Sequence, residues 1–168
     1  DIENDIVSEF SLFEDWMDKY NYLIELGKSL QPVEDAMKLD KFLISGCQSR
    51  VWLIPSFNEG RVVFRADSDA LITKGIVALL IRVLSGHPPK EIIEAELSFI
   101  DNIGLKEHLS QTRSNGLLSM VRQMKLYALG ALELFDGIYD ISTVSMTIYQ
   151  PRRENVSTYT VFKESLYQ

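Results

Sequence analysis

Cys47 is the one cysteine in this chain of 168 residues, and it sits in Ser45-Gly46-Cys47-Gln48-Ser49-Arg50. A thiolate is a nucleophile, whereas a packed thiol behaves as a small hydrophobe. Gly46 removes bulk beside the sulfur and would let another chain approach closely. Gln48, Ser49 and Arg50 suit an exposed loop, and the Arg50 charge would favour the thiolate. Cysteines are nonetheless commonly buried and inert. On residue chemistry alone, a reactive surface thiol and a packed one both stay open.

Other cysteine chemistries fit less well. A thiol protease needs a histidine base and an orienting partner. His87 lies in Ser-Gly-His-Pro-Pro, which reads as a surface turn, and His108 lies in Lys-Glu-His-Leu-Ser near a helix end. A zinc or iron–sulfur site within one chain needs about four suitable ligands, which one Cys and two scattered His do not supply. There is no glycine-rich phosphate loop with a Walker lysine. A single cysteine excludes an internal disulfide and points to a reducing, cytoplasmic setting.

Net charge is −7 and unevenly spread, with 11 acids against 3 bases in residues 1–40. That acidic third repels phosphate and argues against nucleic acid. It reads as a solvated helix face or as a docking surface for a basic partner. No apolar run approaches the roughly 20 residues that cross a bilayer, so no membrane role is expected. The acidic, periodic start is unlike a signal peptide. It also lacks an initiator Met, so the chain reads as a trimmed piece.

The elements that must hold Cys47 are legible by period. Ser11 and Glu14 have capping-box spacing, and Phe13, Trp16, Met17, Tyr20, Leu23, Ile24 and Gly27 recur at helical spacing, predicting a helix over 12–28. A shorter helix over 2–9 precedes it. Residues 50–57 and 60–67 alternate as strands, and Asn58-Glu59-Gly60 joins them as a hairpin. The period then changes. Asp67 or Ser68 caps a helix from Asp69 to Leu84, apolar nearly all round and therefore central. Gly86 ends it, and Pro89 opens a short helix through Glu96. A last helix runs from about Ser114 to Leu134, with Met120, Val121, Met124 and Ala128 inward and Arg122 and Lys125 outward. These elements give one α+β domain over 1–135: a small hairpin-based antiparallel sheet packed against several helices. Residues 136–168 form a C-terminal extension, either an added hairpin or a flexible tail.

Three blocks carry a resemblance to a known family. Gly46-Cys47-Gln48-Ser49-Arg50-Val51-Trp52-Leu53 resembles the active loop of the SufE/CsdE family of sulfur acceptors. Ala66-Asp67-Ser68-Asp69-Ala70-Leu71-Ile72-Thr73-Lys74-Gly75 is similar to its second block. Gly104-Leu105, His108-Leu109-Ser110, Arg113, Asn115-Gly116-Leu117 and Met120 are similar to its last. Order and spacing agree over about residues 5–130. The segment after Leu134 and the Arg at position 50, where some members carry Gln, depart from the pattern.

The resemblance implies a fold similar to the IscU-type iron–sulfur scaffolds. It implies a pyridoxal-phosphate cysteine desulfurase of the SufS/CsdA type as partner. Cys47 would take sulfur from the partner's persulfide, stimulate that enzyme, and pass the sulfur to a downstream iron–sulfur scaffold. No cofactor is expected on this chain, because the pyridoxal phosphate belongs to the partner. Nor is stand-alone enzyme activity expected. Gly46, Gln48, Ser49 and Arg50 would shape the loop, while Asp69 and Arg113 would anchor it or touch the partner. Lys74 is a further partner-contact candidate. Trp52 or the hairpin face would shelter the persulfide. Two alternatives stand beside this. One is a thiol enzyme using His87 or His108; the other is a binding module with Cys47 in a metal or cluster site shared between chains.

Overall fold

The computed structural model describes residues 1–134 and the backbone of 143–150 and 155–162. The first two helices are α1 (Ile2–Ser11) and α2 (Trp16–Lys28). The expected capping box at Ser11 does not form. The Ser11 hydroxyl instead donates to the Ser8 carbonyl at 2.7 Å, closing α1. Asp15 is the cap: its carboxylate accepts from the Asp18 N–H at 2.9 Å. A carboxylate at this position also meets the positive end of the helix dipole, which favours Asp15 over the serine four residues earlier. The frame shift puts Met17 outside, 68% exposed rather than on the core face.

Strands β1 (Val51–Asn58) and β2 (Arg61–Ser68) pair antiparallel, Val51 opposite Ser68 and Asn58 opposite Arg61. Glu59 and Gly60 both take positive φ, 52° and 77°, as a two-residue hairpin turn requires. Val51, Leu53, Val62, Phe64 and Ala66 turn into the core, as their alternation predicts.

Helix α3 (Leu71–Leu84) is the central one, with Ile76, Val77, Leu79 and Leu80 buried. It starts two residues later than the sequence suggests, because Asp69 spends its side chain elsewhere. It lies directly on α2 through a glycine pair. A Cβ on Gly75 would fall 2.2 Å from the Leu23 carbonyl oxygen, and one on Gly27 would fall 2.9 Å from the Gly75 nitrogen. Glycine within a helix costs about 1 kcal/mol relative to alanine; here the close approach is what it allows. Arg82 of α3 forks onto Glu9 of α1 with two hydrogen bonds of 2.7 Å.

Short helices α4 (Pro89–Glu94) and α5 (Phe99–Asn102) lead to α6 (Gln111–Leu134). Leu117, Met120, Met124 and Ala128 of α6 are buried, as expected. Lys125 is a correction. It does not point away but lies half-buried, its ammonium donating to the Ala95 carbonyl at 2.6 Å. Burial lowers its pKa.

Beyond α6, β3 (Thr143–Gln150) and β4 (Asn155–Phe162) pair antiparallel, Val144 opposite Val161 and Met146 opposite Tyr159. The expected boundary near residue 135 and the polar stretch 151–154 lie outside the described residues.

Candidate functional site

The loop Ser45–Ser49 is fixed at both ends by backbone hydrogen bonds. On one side the Ile44 N–H donates to the Val51 carbonyl at 2.9 Å. On the other, Arg50 is held three times over. Its N–H donates to Asp69 Oδ1 at 3.1 Å. Its carbonyl accepts from the Ser68 hydroxyl at 2.8 Å and from the Asp69 N–H at 3.3 Å. Asp69 therefore works at the loop's end rather than in the first turn of α3.

Between these fixed ends the chain makes a tight bend. Gly46 has φ +90°, a left-handed conformation that side chains rarely adopt. A Cβ there would also fall 2.4 Å from Ser119 Oγ on α6. The bend turns Cys47 inward. Its Sγ lies 3.6 Å from the Gly116 carbonyl oxygen, to which the thiol donates. The seat closes directly on Gly116, where a Cβ would stand 3.4 Å from the sulfur, in van der Waals contact with it.

Beside the thiol lies a cavity of about 70 Å³, lined by Gln48, Ser49, Thr73, Ile76, Arg113 and Met120 among others. Its walls are the loop itself, α3 and α6. The expected shelter, Trp52, is not among them. Trp52 lies instead with the Lys38 ammonium 5.6 Å and the Arg50 guanidinium 6.0 Å from its ring centroid.

The half-buried Cys47 departs from the exposed loop thiol that its neighbours suggest. Desolvation pushes its pKa up to about 11. Arg50 does not offset this. Its guanidinium points to solvent, 70% exposed, and pairs with Asp69 at 3.8 Å. The expectation that Arg50 promotes the thiolate is thus corrected: in this resting arrangement the sulfur is a protonated thiol.

Of the other candidate residues, Gln48 is exposed and Ser49 half-buried, both on the cavity rim. Arg113 is exposed and lines the same cavity from the first turn of α6. Lys74 does not face outward as a free cation. Its ammonium lies 3.1 Å from Asp67, and Lys38 reaches the same carboxylate at 2.9 Å. Burial works against the Asp67 charge, yet the hydrogen bonds from Lys38 and Lys74 outweigh it and lower the pKa.

Neither histidine serves the thiol. His87 Nδ1 lies 3.0 Å from Glu91 Oε2. His108 stacks on Trp16 with centroids 3.9 Å apart. Neither lines the cavity. Among the described residues no group of three His, Cys, Asp or Glu is placed to hold a metal, and no helix is long and apolar enough to cross a membrane. Sequence reasoning missed Thr73, Ile76 and Ser119 as neighbours of the loop. A buried threonine and isoleucine on an apolar helix carry no signal of their own. Gly116 does: a glycine inside a strong helical pattern implies a close approach.

Comparison with known proteins gives a consistent result. The SufE family, described as an Fe-S metabolism associated domain, matches residues 4–128. A family of unknown function matches residues 119–168. An uncharacterized SufE-like protein of Rhizobium meliloti is 37% identical over 132 residues, which is 76% of this chain and 94% of that protein. SufE-like protein 1, chloroplastic/mitochondrial, of Arabidopsis thaliana is 40% identical over 126 residues. That match covers 74% of this chain but only 34% of the plant protein. A hypothetical protein from Thermus thermophilus, solved in solution, shares the fold with a TM-score of 0.65 at 19% identity, over 79% of this chain and 96% of that one.

Proposed function

The chain belongs to the SufE family of iron–sulfur metabolism, and from that premise we propose that Cys47 is a sulfur acceptor for a pyridoxal-phosphate cysteine desulfurase. The desulfurase carries sulfur as a cysteine persulfide. The Cys47 thiolate attacks the outer sulfur of that persulfide. The new bond joins the two sulfurs on Cys47, the old sulfur–sulfur bond breaks, and the partner's cysteine leaves as thiolate. The partner is cleared for another turnover, which is how this chain stimulates it. The outer sulfur then passes by a second exchange to an iron–sulfur scaffold. No cofactor on this chain is needed, and the exchange requires a reducing compartment such as the cytoplasm.

The observation that carries this reading is the seat of Cys47. The thiol rests against Gly116 beside a cavity of about 70 Å³. A cavity of about 10–15 Å³ already holds a water, so one added sulfur fits without unpacking the helices. The same seat blocks attack, because a thiol with a pKa near 11 is protonated at neutral pH. Reaction therefore requires the loop to leave the seat on docking, a gating step. The bonds at Ile44 and Arg50 confine that movement to Ser45–Ser49. Gln48, Ser49 and Arg113, on the rim, are the residues a docked partner meets. Asp69 anchors the hinge.

Sulfide release by a cysteine desulfurase, with free cysteine and a reductant, tests the reading. Adding this protein should raise the rate several-fold. No stimulation, or equal stimulation by Cys47→Ser, would overturn it.

A further inference from the structure

The far end of α6 runs along an apolar groove remote from Cys47. The groove, about 470 Å³, lies between the β1–β2 hairpin and the last turns of α6, with Pro55, Val62, Leu126, Tyr127, Ala131 and Leu134 in its walls. Along the α6 axis, Tyr127 is about 16 Å from Gly116 at 1.5 Å per residue, so whatever fills the groove does not cover the Cys47 loop. We propose that its occupant is the β3–β4 hairpin of the same chain, which lays one face into the groove.

Three observations converge on this occupant. The first is the register. Val144 pairs with Val161 and Met146 with Tyr159, so with Ile148 these residues share one face of the hairpin. Ser157, opposite Ile148, is the one polar residue of that face over these rungs, whereas the other face holds Thr143, Ser145, Thr147, Thr158 and Thr160, with Tyr149, Val156 and Phe162 only toward its ends. A two-stranded hairpin is only marginally stable in water, and the more apolar of its faces calls for a surface to pack on. The second is tether length. Leu134 ends α6 in the groove wall, and eight residues separate it from Thr143. Such a connection reaches at most about 30 Å, which keeps the hairpin close to the groove. Tethering gives an effective concentration in the millimolar range, ahead of any dilute competitor. The third is an unmet acceptor. Glu133 Oε1, in the groove wall, is buried with no hydrogen-bond partner among the described residues. A strand edge offers N–H donors of the kind it lacks.

Methyl-labelled full-length protein provides the test. Nuclear Overhauser contacts should join the Met146 and Ile148 methyls to Leu126 and Leu134. In Met146→Asp those contacts should vanish, and amide exchange over residues 127–132 should speed up about tenfold. The alkylation rate of Cys47 should not change, since the groove is remote from it. Absence of the contacts in the unsubstituted chain, or unchanged exchange in the variant, would overturn the proposal. So would contacts seen only between differently labelled copies, which would make a second molecule the occupant.

Discussion

The Cys47 thiol donates to the Gly116 carbonyl across 3.6 Å, so the first turns of α6 hold the sulfur in place. The contact is weak as a hydrogen bond; its consequence is solvent exclusion. Desolvation alone accounts for the raised pKa. One geometry thereby sets both the protection of the sulfur and the barrier to using it.

That geometry makes the reactivity of Cys47 a direct readout of loop position. Alkylation by iodoacetamide should keep rising with pH toward about 11 in the folded protein. In the urea-unfolded chain it should level off near the ordinary thiol value of about 8.5. The folded state prefers the protonated thiol. Its contribution to stability is therefore full below about 8.5 and lost as pH rises from there toward 11. Following the alkylation rate by mass against pH checks this.

Gly116→Ala and Gly116→Val should behave differently. An alanine Cβ would stand 3.4 Å from the sulfur, an ordinary contact. Alanine also gains up to about 1 kcal/mol of helix propensity, so the folded protein should be no less stable. Valine adds two methyl groups at the same place and should expel Cys47 from its seat. Alkylation at neutral pH should then accelerate at least about tenfold, since the freed thiol regains its ordinary pKa. Denaturant midpoints and alkylation rates of the two variants separate these effects.

Gly46→Ala should destabilise by about 2 kcal/mol or more, because the left-handed backbone costs about 1–2 kcal/mol for any other residue and the new Cβ meets Ser119. Adding Ser119→Ala removes only the steric part. The double variant should recover part of the loss and stay about 1 kcal/mol below the starting protein. Urea titrations of the starting protein and the two variants test this.

The pairing of Glu9 with Arg82 makes α1 sensitive to acid. Hydrogen bonds from Arg82 and then Tyr22 hold the Glu9 carboxyl down at about 2, against the opposing effect of burial. A lowered carboxylate contributes stability above its unfolded value of about 4.3, and the contribution is lost as pH falls toward 2. Glu9→Gln should lower the melting temperature at pH 7, and the gap should shrink steadily below pH 4. Calorimetry at several pH values measures it.

Much of the fold was legible in the sequence because its signals are local. The alternation from Val51 to Ala66 dictated the hairpin, and the run from Leu71 to Leu84 dictated the central helix. The errors came where two local signals competed. Ser11 read as the cap by its spacing to Glu14, and only the chain path from α1 hands that place to Asp15. Asp69 fell at the start of the central helix by period, and only the family resemblance pointed to the loop, because nothing local shows that the Arg50 N–H just before β1 meets its carboxylate. The site was legible at Cys47 and at its glycine neighbour. Its enclosure was not, since Thr73, Ile76 and Ser119 reach the loop only through the packing of α3 and α6. Arg50 misled for a related reason: nearness in sequence placed a charge by the thiol, but strand geometry turns it toward Asp69 and Trp52.

The central claim is that Cys47 receives sulfur, and mass spectrometry of this residue measures that most directly. After incubation with a cysteine desulfurase and free cysteine, the intact chain should gain about 32 Da, the mass of one sulfur, located on the Cys47 peptide and removed by a thiol reductant. A chain that keeps its mass while the desulfurase is demonstrably loaded, or that gains sulfur equally as Cys47→Ser, would contradict the account.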